Sequence, residues 1–407
     1  MKIAIINPVS SGKCLVNAFE DFGVEIIQVF EPSLASEECS GFISEELGKT
    51  ADFLMSQRIT GIVSGSEFGI SLTDELTHSL GLQGNDYELR KTRINKYEMM
   101  RILKANNIRT PHTEVITCEQ ELLTYLDSSP NYPVFIKPTA SAGSDNCKKC
   151  NSREDVIFGF QNIFREKNIL GKTNQSLVLQ EYIQGDQYIV NTVSSAGRHF
   201  ITELYLVNLE KIDGMPIYRD ISTLNYHDQG GLITELSNYV FECLDGIGVR
   251  NGAAHTEVRM TENGPLLIEV NSRIMGPILD INAFSHGIGY SQAAILAESM
   301  VEPEIFNRRL SSPIQQPKRY FSMVFLRCPF EGRIVDRKGL SNVRKLPGFH
   351  SVAHLPHLGY ISKNPLLTTG DFGIAYFAHE DKEVLDNSIA ILHQIENDGL
   401  LYGVDCD

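Results

Sequence analysis

Between Lys2 and Val63, short apolar runs alternate with helix-like stretches, and this alternation restricts the fold more than any other feature of the chain. Residues 2–7 (KIAIIN) read as a buried strand and residues 11–22 as a helix. Residues 25–30 (EIIQVF) read as a second strand, 41–57 as a helix and 60–63 as a third strand. Strands separated by helices build a parallel sheet, because neighbouring parallel strands need a crossover connection. Ligands of open parallel sheets lie beyond the strands' carboxyl ends. That rule puts the turn Ser64-Gly65-Ser66-Glu67 on a candidate site wall.

The pattern changes after Arg93. A helix over 95–107 stops before Thr110-Pro111 and is followed by a strand at 134–137, a Gly/Ser loop, a helix over 153–165 and a strand at 177–182. Strands at 188–193 and 199–207 flank Ala196-Gly197 and read as an antiparallel pair. Residues 211–235 are largely polar, contain Gly214, Gly230 and Gly231, and read mostly as a mobile loop. A strand pair at 254–260 and 265–271, a helix over 290–300, and late strands at 320–327 and 373–379 complete the pattern. The expected class is α/β and α+β, and 407 residues suit two or three domains.

Thirty-six basic against 51 acidic residues leave a net charge of −15, which disfavours nucleic acid and anionic membranes as partners. No apolar run approaches the ~18 residues of a membrane helix. The apolar run at residues 3–6 is too short for a signal-peptide core. Eight cysteines in a chain of this length form no small-domain disulfide framework, so a reducing cytoplasm is the expected location. Several motifs fail on inspection. Ser11-Gly12-Lys13 lacks the first glycine of a phosphate-binding loop, where Asn7 stands, and the following Ser or Thr, where Cys14 stands. His286-Gly287-Ile288-Gly289 lacks the third glycine of a dinucleotide fingerprint; Gln292 takes its place. Cys147 and Cys150 have zinc-like spacing but no second pair at a suitable distance. Pro356 separates His354 from His357, and no G-x-S-x-G nucleophile elbow occurs.

Three features carry chemistry. The first is Glu257, Glu269, Asn271 and Arg273. On a strand, Glu269, Asn271 and Arg273 share one face. A three-residue loop, Glu262-Asn263-Gly264, sets Glu257 opposite Glu269. Two carboxylates and an amide oxygen then converge, and they repel without a cation; as hard oxygen ligands they suit magnesium. Arg273 can grip a carboxylate or phosphate oxygens bidentately. The second feature is Lys137, which ends the apolar strand before Thr139-Ala140-Ser141-Ala142-Gly143-Ser144-Asp145. Small residues there allow backbone N–H groups to approach phosphate oxygens. The third is Gln180-Glu181-Tyr182-Ile183-Gln184-Gly185, a strand breaking into a turn that exposes backbone groups to a flat base.

In this order, and over roughly residues 96–276, the three features resemble the ATP-grasp superfamily. The resemblance implies an ATP-grasp fold with an N-terminal Rossmann-like parallel-sheet domain (1–93) and a nucleotide-binding region (94–305) whose glycine-loop subdomain lies within 94–182. A C-terminal lobe (306–407) completes the module. It implies ATP and Mg2+ as cofactors, with Mn2+ as an alternative. Lys96 and Lys137 match the nucleotide lysines, with Ser141, Gly143 and Ser144 in the loop over the phosphates. Gln180 and Ile183 match hinge positions meeting adenine, with Glu181 beside them. Glu257, Glu269 and Asn271 match the metal ligands, and Arg273 the arginine that holds acyl phosphate. The superfamily commonly has Glu, a ribose contact, where Gln187 stands.

Ser64-Gly65-Ser66-Glu67, Gly252-Ala-Ala-His255-Thr-Glu257 and Asn271-Ser-Arg273-Ile-Met-Gly276 are most similar to L-amino-acid ligases, the dipeptide synthetases of the bacilysin-synthetase type. This narrower likeness implies substrate contacts from Glu67, His255, Arg273 and Gly276. The expected activity is ATP-dependent joining of an amino acid or related carboxylate to an amine, itself expected to be an amino acid, through an acyl phosphate with release of ADP and phosphate. A ligase charging a carrier-protein thiol, a carboxylase of the same superfamily, and a nucleotide-binding regulator are the alternatives. Partners are expected to be small molecules, with a homodimer as an open option.

Overall fold

The computed structural model describes residues 1–36, 39–141, 146–212, 215–226, 230–312, 314–363 and 370–405. The first region is the expected parallel sheet, with β1 (Lys2–Ile6), α1 (Gly12–Glu20), β2 (Glu25–Phe30), β3 (Phe42–Ile43), α2 (Leu47–Ser56), β4 (Gly61–Ser64) and α3 (Ile70–Ser79). Its strand order is β3-β2-β1-β4. Ile3, Ala4, Ile5 and Ile6 are all fully buried, since a central parallel strand is covered on both faces. The helix expected over 41–57 is shorter: Phe42 and Ile43 pair with Val29 and Phe30 as an edge strand, and the helix starts at Leu47.

The second region opens with α4 (Lys96–Ala105), whose start is fixed by the Asn95 side chain accepting from the Tyr97 and Glu98 amides. A small four-stranded antiparallel sheet follows, formed by β5 (Thr113–Ile116), β6 (Val134–Pro138), β7 (Lys148–Cys150) and β8 (Leu177–Glu181) in the order β5-β8-β6-β7. It is backed by α5 (Glu119–Asp127) and α6 (Arg153–Ile163).

An eight-stranded antiparallel sheet forms the body. Its first strands are β9 (Asp186–Ser195), β10 (Arg198–Ile212), β11 (Met215–Thr223), then after α7 (Gly230–Gly246) β12 (Gly252–Thr261) and β13 (Gly264–Asn271). Helices α8 (Ile281–Gly287), α9 (Gln292–Val301) and α10 (Pro303–Leu310) pack against it. The C-terminal stretch adds β14 (Tyr320–Phe325), β15 (Gly332–Asp336), α11 (Leu340–Val343), β16 (Phe349–Ala353), β17 (Ile361–Ser362), β18 (Ile374–His379), α12 (Lys382–Asn397) and β19 (Gly403–Asp405). Sheet order is β13-β12-β9-β10-β11-β14-β18-β16, so the late strands extend the same sheet; β17, β15 and β19 form a separate three-stranded one.

The loop expected over 211–235 is corrected. Its described residues are the end of β10, the whole of β11, a short link at 224–226 and the start of α7. Its polar residues misled because Arg219 and Asp220 are buried and paired: Arg219 Nη2 meets Glu396 Oε2 at 3.0 Å, and Asp220 Oδ2 meets His393 Nε2 at 3.2 Å. Charged side chains in a strand read as surface unless their partners, far away in sequence, are known.

Candidate active site

The hairpin β12–β13 positions the acidic groups. Glu257 pairs with Glu269 and His255 with Asn271, as the sequence spacing predicts. The route to that pairing differs from the expectation. Thr261 already pairs with Gly264, so the turn has two residues, and a bulge between Glu257 and Val258 restores the offset. The bulge also sets the face. Leu267 lies in the core beside Val258, whereas Glu269 lies on the opposite side with Glu257; strict alternation would have buried Glu269 with Leu267. Successive cross-strand partners therefore share one face: Tyr205, Ile189, Glu257 and Glu269 in one row, and Glu203, Asn191, His255 and Asn271 in the next.

Two lysines from separate elements meet this face. Lys96, in the first turn of α4, places Nζ 3.0 Å from Glu269 Oε2 and 2.9 Å from the Ser141 carbonyl. Lys137, at the end of β6, donates to Gln180 Oε1 at 2.9 Å, and Gln180 donates to Thr113. Burial pushes the Lys137 ammonium pKa below its ordinary value, and the like charge of Lys96 pushes it further; Glu269 offsets only part. Burial acts on Lys96 in the same direction, but Glu269 outweighs it and the pKa is held above the usual one. Burial works to raise the Glu269 pKa, yet Lys96, Lys137 and the Asn271 amide bring it down to about 2. The face thus carries two buried ammonium groups beside its carboxylates, and such groups suit polyphosphate oxygens. Gly143 and Ser144 of the expected phosphate loop lie outside the described residues.

Glu257 is held from the other side. Its Oε2 accepts from Tyr218 Oη at 2.9 Å and from Gln187 Nε2 at 3.0 Å, and its Oε1 lies 3.4 Å from His255 Nε2. Glu257, Glu269 and Asn271 present hard oxygen donors on one face of a single hairpin, and that donor chemistry fits magnesium. Tyr218, Arg259 and Asn191 escaped the sequence reading. Tyr218 fell in the misread loop. Arg259 is two residues beyond Glu257, so alternation alone placed it on this face. Asn191 Oδ1 accepts from His255 Nδ1 at 2.9 Å.

At the expected hinge positions, Glu181 is exposed and Ile183 is buried. The Ile183 carbonyl accepts from Arg259 Nη1 at 3.0 Å. Glu67 sits just beyond β4, on the wall that the parallel-sheet rule indicated. Arg273 Nε donates to Glu67 Oε2 at 3.0 Å, and both side chains are mostly buried. A narrow cleft lined by Glu67, Lys96, Met99, Glu269 and Asn271 joins this pair to the acidic face. Gly276 follows Arg273 in the segment before α8, with open space where a side chain would begin. The structure thus gathers Glu67, Lys96, Lys137, His255, Glu257, Glu269, Asn271 and Arg273 around one centre.

Residues 94–277 match the family model described as an ATP-grasp domain. The chain is 28% identical to dapdiamide A synthase of Enterobacter agglomerans, over 97% of this chain and 96% of that protein. Among solved structures it is similar to an L-amino acid ligase from Bacillus licheniformis, with a TM-score of 0.79 and 15% identity, covering 100% of this chain and 98% of that one. It is also similar to N5-carboxyaminoimidazole synthase from Aspergillus clavatus in complex with ADP, with a TM-score of 0.73 and 13% identity over 98% of each chain.

Proposed function

We propose that this chain, which has the ATP-grasp fold and carries an ATP-grasp domain over residues 94–277, is an ATP-dependent carboxylate–amine ligase joining two amino acids and releasing ADP and phosphate. The observation that carries this reading is the convergence of Lys96 and Lys137 on Glu269, beside Glu257 and Asn271 and one cleft away from the Glu67–Arg273 pair. The relatives named above, a dapdiamide synthase and an L-amino acid ligase, support the same reading.

The chemistry asked of the residues is positioning and charge neutralisation. A carboxylate oxygen of one substrate attacks the γ-phosphorus and ADP leaves. The amine nitrogen of the second attacks the acyl carbon, loses a proton, and phosphate departs with the former carboxylate oxygen. Glu257, Glu269 and Asn271 would hold magnesium, which when bound neutralises phosphate charge. Lys96 and Lys137 hold the nucleotide phosphates, and a polyphosphate relieves the strain that burial and mutual repulsion place on Lys137. Arg273 faces the carboxylate being activated. Glu67 and Arg273 carry the charges that complement an α-ammonium and a carboxylate, so an amino acid enters by exchanging their single ion pair for two.

A screen of L-amino-acid pairs with MgATP, reading ADP release and product mass, tests the reading. ADP with a product equal to the two substrates less one water is expected. Turnover that needs bicarbonate, or release of AMP and pyrophosphate, contradicts it.

A further inference from the structure

We infer that Gln187 is a positioning residue for Glu257 and offers the nucleotide ribose no carboxylate at this position, so that this chain binds ATP and 2′-deoxy-ATP with similar affinity. The inference rests on the ligase reading only in requiring that a nucleoside triphosphate bind here.

Gln187 lies on β9 opposite Arg259 of β12, and only 6% of it is exposed. Its Oε1 accepts from Arg259 Nη2 at 3.3 Å. Its Nε2 donates to Tyr218 Oη at 2.7 Å and to Glu257 Oε2 at 3.0 Å. Tyr218 Oη donates in turn to the same Glu257 oxygen at 2.9 Å, closing a three-membered ring of hydrogen bonds. The amide can adopt only this orientation. Turned over, it would face its oxygen to the carboxylate and its NH2 to the guanidinium.

The residue type follows from these contacts. A glutamate at 187 would set a second carboxylate about 3 Å from Glu257 and give it no donor, whereas the amide supplies a proton. The same commitment removes Gln187 from the nucleotide's sugar. Both amide protons are used, and Arg259 takes the oxygen, so a ribose hydroxyl could meet no more than one neutral lone pair. A hydrogen bond to a neutral acceptor discriminates far less than one to a carboxylate. Arg259 extends the arrangement, because it also donates to the Ile183 carbonyl at 3.0 Å and lies over the Tyr182 ring at 5.4 Å. The hinge and Glu257 are thereby tied together through Arg259 and Gln187.

Isothermal titration calorimetry of the wild-type chain with ATP and with 2′-deoxy-ATP, each in excess Mg2+, tests the ribose half. Kd values within about threefold are expected for a site with a neutral acceptor. ATP binding tighter by tenfold or more would overturn it. The positioning half uses Gln187→Met and Tyr218→Phe, both close to the native shape. Each should raise the Mg2+ concentration for half-maximal nucleotide binding about tenfold, as loss of a partner to a metal ligand does, while leaving metal-free ATP binding in EDTA unchanged. Equal losses with and without metal, in either variant, would reduce these residues to structural support and overturn it. A wild-type chain that binds neither triphosphate defeats the ligase reading and this inference together. One that binds ATP and excludes the deoxy compound defeats this inference alone.

Discussion

Glu269 balances the charges of the site, and its pH behaviour is a direct test. Its pKa is depressed to about 2 by Lys96 and Lys137 acting against burial. A carboxylate so depressed contributes stability that is present above its unfolded pKa near 4.5 and is lost as pH falls from there toward 2. Glu269→Gln should therefore flatten the acid limb of a stability-versus-pH curve and cut MgATP-dependent turnover by roughly a hundredfold or more. An unchanged acid limb would mean that the lysines do not hold this carboxylate. Glu203 behaves in the opposite sense. Burial raises its carboxyl pKa to about 7 despite contacts with Thr202, Asn191 and the Gln292 amide. The native state then keeps a proton that the unfolded chain releases, so stability falls as pH rises from about 4.5 through 7. Glu203→Gln should raise Tm at pH 8 and leave it unchanged at pH 4; calorimetry at both values decides. The side chains that share the Glu257–Glu269 face were largely legible in the sequence, because alternation on a strand fixes which side chains share a face. Tyr218 was not, because its strand looked like solvent-exposed loop.

Among elements, α12 clamps the strand that carries Tyr218. Glu396 accepts from Arg219 Nη2 at 3.0 Å and from the Arg327 amide at 2.8 Å, and His393 bridges Asp220 at 3.2 Å and Glu396 at 3.0 Å. Arg327 also donates to the Tyr218 carbonyl. Removing the carboxylate strands buried arginines, so Glu396→Ala should cost about 3–5 kcal/mol in urea unfolding, where an exposed pair would cost under about 1. A loss in the lower range would show that water reaches the cluster. The hairpin illustrates how far spacing carries. The partnership of Glu257 and Glu269 was legible, but the short turn and the compensating bulge were not, since a bulge leaves no residue pattern that a lone sequence can display.

In the molecule as a whole, the site depends on three bodies of chain being set against one another. Glu67 comes from the parallel-sheet region, Lys137 from the small antiparallel sheet, and Glu257 and Glu269 from the large one. Arg93 fixes the first to the last. Fully buried, it pairs with Asp74 of α3 at 2.9 Å and donates to the Ile247, Gly248 and Asp86 carbonyls. Arg93→Met removes the buried cation that faces Asp74 and takes one donor from each of the three carbonyls. It should destabilise the chain by about 3–5 kcal/mol and raise amino-acid KM more than it weakens ATP binding, because Glu67 is the group displaced. Parallel losses in both would place the two regions' alignment outside substrate binding. The order of regions was legible from strand and helix periodicity; their mutual placement was not, because contacts such as Arg93 with Ile247 link positions 154 residues apart. The central claim is that a carboxylate is activated by phosphorylation at the face bearing Glu257 and Glu269. Turnover with an amino acid carrying 18O in its carboxylate measures this directly by mass spectrometry. One labelled oxygen should appear in the released phosphate; label in AMP, or phosphate with none, would contradict it.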